Sequence, residues 1–458
     1  MHIVSASRVQ RLRFSVLKYG SSLVRGVRPI YLATASTHRI VREEKNRRQF
    51  AFAQSRLNPW RGLGGLPREV WLLFATNLVN RAGMMVLPFL VVYLTRELHF
   101  SPSQAGLAFG LYGAAAIVAG PLSGWLSDRI GALPIMRVSL VLSGVIVLVY
   151  PLARSIGAVY FATITWAACS ELFRPASLAA ITHVVNAEQR KAAYALNRLA
   201  INLGMSIGPA LGGFLATVSF RSMFVVDGGT TILAALVLMF TKWKAPTGGT
   251  HHSSARHHGE TKAILTDRKL MLFLVAEFLV AIVFYQHEST LSLFMVNYLN
   301  FSPAFYGALF TVNTLLIVAL EVPINQATSD WPAAWALLAG CILFALGFGG
   351  LAIVATAAGI LVTVVLWTFG EMMLFPAMAA YLGDIAPPAQ RGAYMGAYSM
   401  SLSLALTFGP WLGTQMLASW GPRLLWVIMF ALGALAAALM VYATPRRRLL
   451  RSPVVAEF

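Results

Sequence analysis

Several ionisable side chains stand inside stretches of sequence that are otherwise almost free of charge, among them Arg81, Glu171, Arg174, Glu277, Glu288 and Glu371. A carboxylate in a low-dielectric setting can bind and release a proton near physiological pH. A cationic substrate competing for the same carboxylate would couple its own movement to that of the proton. The candidates for this work are, in order, Glu171, Glu371, Glu288 and Glu277, with Glu321 behind them. Arg81 and Arg174 would balance charge or hold an anionic group, and Asn77, on a polar stripe with Asn80 and Arg81, is a further cavity candidate. Arg198 lies near the start of its apolar run and reads as structural.

Such groups must be carried by elements that can hold them in an apolar medium. The chain has 458 residues, of which 57% are hydrophobic and 12% charged, and its mean hydropathy is +0.68. A soluble domain carries about 25% charged residues, so an ordinary globule is excluded, as is disorder, which requires low hydrophobicity. Lipid accepts only helices or closed barrels. Barrel strands alternate polar and apolar residues, whereas the runs here are continuously apolar, so the fold class is all-α integral membrane. Runs long enough to cross a bilayer fall at 69–95, 103–127, 133–152, 156–182, 192–217 and 222–241, then at 269–297, 304–327, 332–355, 357–383, 392–417 and 422–444. Twelve transmembrane helices result, as two six-helix halves over 69–241 and 269–444. A polar Gly-, Ser- and His-containing linker joins them over 242–268, with a basic tail at 1–68 and a short one at 445–458.

The halves repeat one another. Phe100-Ser101-Pro102 recurs 201 residues on as Phe301-Ser302-Pro303, Gly208-Pro209 as Gly409-Pro410, and Pro175-Ala176 as Pro376-Ala377. Glu171 and Glu371 match within one residue of the same offset. A single offset over several regions marks a duplicated six-helix unit, and the halves are therefore pseudo-symmetric.

Charge sets the expected orientation. Only Arg96, Arg154, Arg221 and Arg423 fall on the side opposite the N-terminus, and Arg81, Arg174 and Arg198 within spans, so 29 of the 36 Lys and Arg share the face of both termini. Lys and Arg mark the cytoplasmic face, so both termini are expected there, in a bacterial inner membrane. The first 68 residues supply +12 of the formal charge of +19. They read as a disordered tail on anionic lipid, a targeting peptide or translation from an upstream start.

Two motifs carry a resemblance. Between spans two and three stands Gly124-Trp125-Leu126-Ser127-Asp128-Arg129-Ile130-Gly131. It resembles the G-x-L-x-D-R-x-G loop of the major facilitator superfamily, although the basic residues that follow in the family are Ala132 and Leu133 here. Span five contains Gly204-Met205-Ser206-Ile207-Gly208-Pro209-Ala210-Leu211-Gly212-Gly213, similar to the family's antiporter motif with Ala195 in place of its first glycine. Glycines 204, 208 and 212 share one helix face and admit a close neighbour, while Pro209 permits a bend. The Arg-x3-Gly-x-Gly pattern of span four is missing, and Glu171 and Arg174 occupy that region. The resemblance covers roughly residues 67–444. It implies two halves rocking about a central cavity lined by spans one, four, seven and ten. It also implies a conformational-switch loop at Gly124, Asp128, Arg129 and Gly131, and proton-coupled export.

The expected protein is thus a secondary transporter rather than an enzyme. It works as a monomer on protons and hydrophobic or cationic small molecules, with membrane lipid as its surroundings. Import of a small solute with a proton, or a transport-inactive receptor or lipid-handling role, are the alternatives. No phosphate-binding loop supports ATP drive, and the basic tail lacks aromatic interleaving, so no nucleic-acid partner is expected. Cys169 and Cys341 provide no disulfide framework, the linker histidines read as a solvated loop, and no metal or cofactor is expected.

Overall fold

Apolar runs in lipid must satisfy every backbone amide and carbonyl internally, and the chain does so as helices. The computed structural model describes residues 65–186, 189–241, 243, 267–387 and 390–444, all within the unit Gly62–Phe458. The basic tail up to residue 64, most of the linker and residues 445–458 lie outside the described residues. The spans are Arg68–Arg96, Pro102–Ile130, Ala132–Leu152, Ile156–Val184, Ala192–Val218, Phe220–Phe240, Arg268–Glu288, Pro303–Ala327, Ala333–Gly350, Ala357–Ile385 and Ala393–Ala443. The last has 51 residues, about 77 Å at 1.5 Å per residue, more than twice the ~30 Å of a bilayer core. It breaks at Gly421, whose φ of 77° and ψ of 172° leave the helical region, with Pro422 following. It therefore supplies spans eleven and twelve, and the expected twelve are present.

The repeated Phe-Ser-Pro triplet proves to be a helix start. Ser101 Oγ accepts from the Gln104 amide at 3.2 Å, and Gln104 returns the bond to the Ser101 amide at 3.0 Å, closing a capping box. Ser302 accepts likewise from the Phe305 amide, and Pro102 and Pro303 occupy the first helical position, where a missing N–H is harmless. The turns ahead of them match as well, with His99 at φ 57° and Asn300 at φ 58°.

Three spans are broken at mid-membrane. Span one stops at Gly83 and restarts at Val86. Span four is interrupted at Glu171 and Leu172, between Ile156–Ser170 and Phe173–Val184. Span seven passes from Arg268–Phe284 through a tight turn, Tyr285–Glu288, to Thr290–Leu293 and a wide turn, Phe294–Tyr298. Side chains satisfy the freed carbonyls of span four: Ser123 Oγ donates to Leu172 O at 2.6 Å and Ser139 Oγ to Cys169 O at 2.7 Å.

The halves meet mainly along span five with eight and span two with eleven. Gly106, Gly113, Gly120 and Gly124 lie within about 40° of one another around span two, given 100° per residue. A Cβ at Gly106 would meet Thr414 at 1.7 Å and one at Gly113 would meet Thr407 at 2.8 Å, both in span eleven, whereas Gly120 and Gly124 have nothing within 4 Å. Seven residues before Thr407, on the same face, Met400 is 58% exposed. Spans two and eleven therefore touch near the loop before Pro102 and part toward the end where the linker and terminal segments attach. Spans five and eight stay together, through Gly213 against Pro303, Thr311 Oγ1 donating to Ser206 O at 2.6 Å, and an Arg198–Glu321 ion pair.

Candidate functional site

The glycine face of span five accommodates the break in span one. A Cβ at Gly204 would come to 2.4 Å of Arg81 Cβ, one at Gly208 to 2.8 Å of Arg81 O and 2.9 Å of Met84 O, and one at Gly212 to 2.8 Å of Met85 Cβ. Gly213 points elsewhere, to Pro303 O in the other half, and the Pro209 carbonyl lies against Gly307. The motif thus does two jobs: three glycines seat the bend that carries Arg81, while Pro209 and Gly213 join the halves.

Breaking span one frees two amides at the start of its second segment, and a buried acid takes both. Asp227 Oδ2, in span six, accepts from Met85 N at 2.9 Å and Val86 N at 2.8 Å. Sequence reasoning did not single out Asp227, although an acid inside the apolar run 222–241 was the available signal. Asp227 shares a pocket with Arg81, Glu171, Asn80, Tyr112 and Trp166. Arg81 Nη1 reaches only Met84 Sδ, at 2.9 Å, and Arg81 Nε is buried with no hydrogen-bond partner among the described residues. Asn77 is used differently from Asn80. Its amide donates to Leu73 O, Ser177 Oγ and Asn197 Oδ1 at 2.9–3.2 Å, tying spans one, four and five together.

Glu171, at the break of span four, accepts from Tyr112 Oη at 2.9 Å, and the same hydroxyl lies 3.0 Å from Ser170 Oγ. Arg174 is three residues on, but among the described residues no ion pair joins the two, and the helix is interrupted between them. Arg174 is exposed and lies within electrostatic reach of Tyr285 in span seven. In the second half Glu371 accepts from Asn313 Nδ2 at 3.0 Å, and Asn313 also reaches Thr368 Oγ1. Tyr112 and Asn313 are themselves 201 residues apart, so the donor as well as the acid belongs to the repeat.

The four glutamates do not converge on one point. Glu288 stands in the tight turn of span seven, 3.7 Å from His287 Nε2, within electrostatic reach of Arg81 and Glu171 in the opposite half. Glu371 lies within reach of Arg198 and Glu321, which pair across the halves. Glu277 is 0% exposed, and neither carboxylate oxygen has a hydrogen-bond partner among the described residues. Ser401, which interacts with it, directs its hydroxyl to Leu274 O at 3.3 Å. Glu288 thus lies within electrostatic reach of Glu171 and Arg81 across the halves, while Glu277 is enclosed.

At the switch loop, Gly131 ends span two with φ 89°, a conformation glycine adopts without strain. Asp128 and Arg129 are exposed, Gly124 has nothing close by, and Arg129 lies over the Trp125 ring at 4.1 Å. Neither charge bonds to the second half among the described residues, as expected where spans two and eleven have parted.

Among known proteins, the family model of the Major Facilitator Superfamily matches residues 72–298 and 273–457. An uncharacterised MFS-type transporter, YqjV of Bacillus subtilis (strain 168), is 27% identical over 351 residues, 75% of this chain and 85% of that protein. A Na(+), Li(+), K(+)/H(+) antiporter of Planococcus maritimus is 24% identical, covering 72% of this chain and 85% of its own. Multidrug resistance protein 2 of Bacillus subtilis is likewise 24% identical, covering 72% and 83%. Of solved structures, the nucleoside transporter NupG superposes with TM-score 0.71 at 11% identity over 82% of this chain and 99% of that one. A POT family transporter in complex with 5-aminolevulinic acid gives 0.69 at 15%, over 83% and 96%. With the family model matching most of the described spans, this multi-pass membrane protein belongs to the major facilitator superfamily of transporters.

Proposed function

We propose that the protein is a proton-coupled antiporter that exports hydrophobic or cationic small molecules by alternating access. In this reading it acts as a monomer in a bacterial inner membrane with both termini in the cytoplasm. The observation that carries the reading is that Glu171 and Arg81 line one pocket of the first half and lie within electrostatic reach of Glu288 in the second. A carboxylate there can exchange a proton for a cationic substrate. Lys and Arg gather on the face of the termini, so the parted ends of spans two and eleven open to the cytoplasm, where an exporter collects its cargo. The names of two relatives, a multidrug resistance protein and a cation/H(+) antiporter, lie in the same direction.

Everted membrane vesicles provide the test. Adding an exported compound to acid-loaded vesicles should release protons from the lumen. A protonophore should abolish the response, and Glu171→Gln should remove it while the protein is still inserted. Arg81 Nε, buried with no acceptor among the described residues, favours a second reading, symport of a small anionic solute, in which the same addition acidifies the lumen instead. Full pH-driven exchange by Glu171→Gln would remove Glu171 from the coupling role.

A further inference from the structure

We propose that Asp227 is a titratable positioning residue: as a carboxylate it clamps the bend of span one, and on taking up a proton it releases the bend and with it Arg81. The clamp is direct. One carboxylate oxygen holds the two amides, Met85 N and Val86 N, that the break leaves free. The segment it caps, Val86–Arg96, is 11 residues long, so its amide-rich start favours a negative group. Asp227 is 4% exposed, and Thr231, one turn on, interacts with it. Gly83 lets span six come close, since a Cβ there would sit 1.9 Å from Thr230 Oγ1. The carbonyl and side chain of Arg81 are held from the other side by Gly204 and Gly208. Movement at Met85 is therefore passed to Arg81 rather than lost in loose packing.

The groups around Asp227 set what can act on it. Span one brings Arg81, span four Glu171 and span two Tyr112 into the same pocket. Span three contributes Leu140 and Ser143 there, and span five presents its glycine face to the bend. Protonation makes one Asp227 oxygen a hydroxyl donor and leaves only a neutral carbonyl to accept, so the cap loses its charge and its charge-assisted bonds weaken. Span seven bends at the matching place in the repeat, but no acid caps freed amides there among the described residues. Gln286 Nε2 donates to Ile282 O and Gly409 O, both at 2.9 Å, and Tyr306 Oη donates to His287 O at 2.7 Å. The residue 201 beyond Asp227 is Ile428. At the bend of span seven His287 Nδ1 also lies 2.6 Å from Phe284 O, with Glu288 3.7 Å from His287 Nε2, but among the described residues the carboxylate that caps freed amides belongs to the bend of the first half. The inference rests on the chain being a transporter and holds whichever way the substrate moves.

Amide hydrogen exchange reads the clamp itself. In full-length protein in lipid nanodiscs, the segment spanning Met85 and Val86 should be protected at about pH 8. After correction for the intrinsic pH dependence of exchange, it should lose about tenfold of that protection by about pH 5. Asp227→Asn, which mimics the protonated acid and does not titrate, should give the weaker, low-pH level of protection at every pH and a flattened pH profile of transport. Glu171→Gln should leave the pH dependence of this segment in place even where transport is lost, which separates the clamp from the coupling carboxylate. Asp227→Leu should leave the segment unprotected throughout. If that variant does not fold, the wild-type and Asp227→Asn series decide the matter alone. Protection that is constant with pH in the wild type, or that varies equally in Asp227→Asn, would overturn the proposal.

Discussion

A tyrosine and an asparagine do the same job in the two halves: Tyr112 donates to Glu171 and Asn313 donates to Glu371, each across the gap between neighbouring spans. The glutamates were legible in the sequence because both copies kept the same residue. Their donors were not, because a phenol and an amide share a hydrogen-bonding role without sharing a letter. Asp227 was hidden for another reason. It matters only because span one breaks at Gly83, and the restart was marked only by Pro88, in the first turn of the new segment, where proline is tolerated. The difference in donors allows the two acids to be told apart. A hydrogen bond to a charged group contributes about 1.5–3 kcal/mol, so Tyr112→Phe should slow proton-coupled exchange by about tenfold or more and displace its pH profile. Asn313→Ala should lower the rate with the profile in place. Both are read from initial rates in vesicles over a pH series, and the reverse pattern would transfer the coupling role to Glu371.

Among elements, helix starts and the glycine face were the most readable features. The Ser-Pro starts of spans two and eight follow from cap chemistry that acts within four residues, and the four-residue glycine spacing announces a close neighbour without saying which. The structure supplies the neighbour, the bend of span one, whose existence depends on contacts distant in sequence. That identity makes a sharp expectation. A methyl group at Gly208 would lie 2.8–3.2 Å from three carbonyl oxygens, those of Arg81, Met84 and Ala82, all backbone atoms of span one. Gly208→Ala must therefore displace the bend, and overpacking of this kind costs about 1–3 kcal/mol. Its melting temperature in detergent should fall and transport should be lost. Gly229→Ala, where nothing lies within 4 Å, should be neutral or slightly stabilising, since alanine favours a helix over glycine. Equal behaviour of the two variants would mean that the glycine face is not what seats span one.

On the scale of the whole molecule, the two seams between the halves are unequal. Spans five and eight remain joined from Gly213 down to the Arg198–Glu321 ion pair. Spans two and eleven are joined only at one end, where Arg96 also bonds across to Asn297 at 2.9 Å and to Val296 O at 2.7 Å. Arg96 and Asn297 are 201 residues apart, so this contact joins equivalent places of the repeat and marks the axis about which one half is turned relative to the other. Rocking of two rigid halves then makes a reciprocal demand: the Arg96 end must open when the Met400 end closes. A cysteine pair at each end tests it, in a background with Cys169 and Cys341 replaced. The pair Arg96→Cys with Asn297→Cys should be joined by a short cross-linker in the conformation described, and Gly120→Cys with Met400→Cys should not. Conditions that drive transport should raise cross-linking of the second pair as they lower that of the first. The Asp128–Arg129 loop should become protected from labelling in step with the second pair, because its end of span two then meets the other half. Simultaneous cross-linking of both pairs in one molecule would exclude rigid rocking and place the motion inside the broken spans instead.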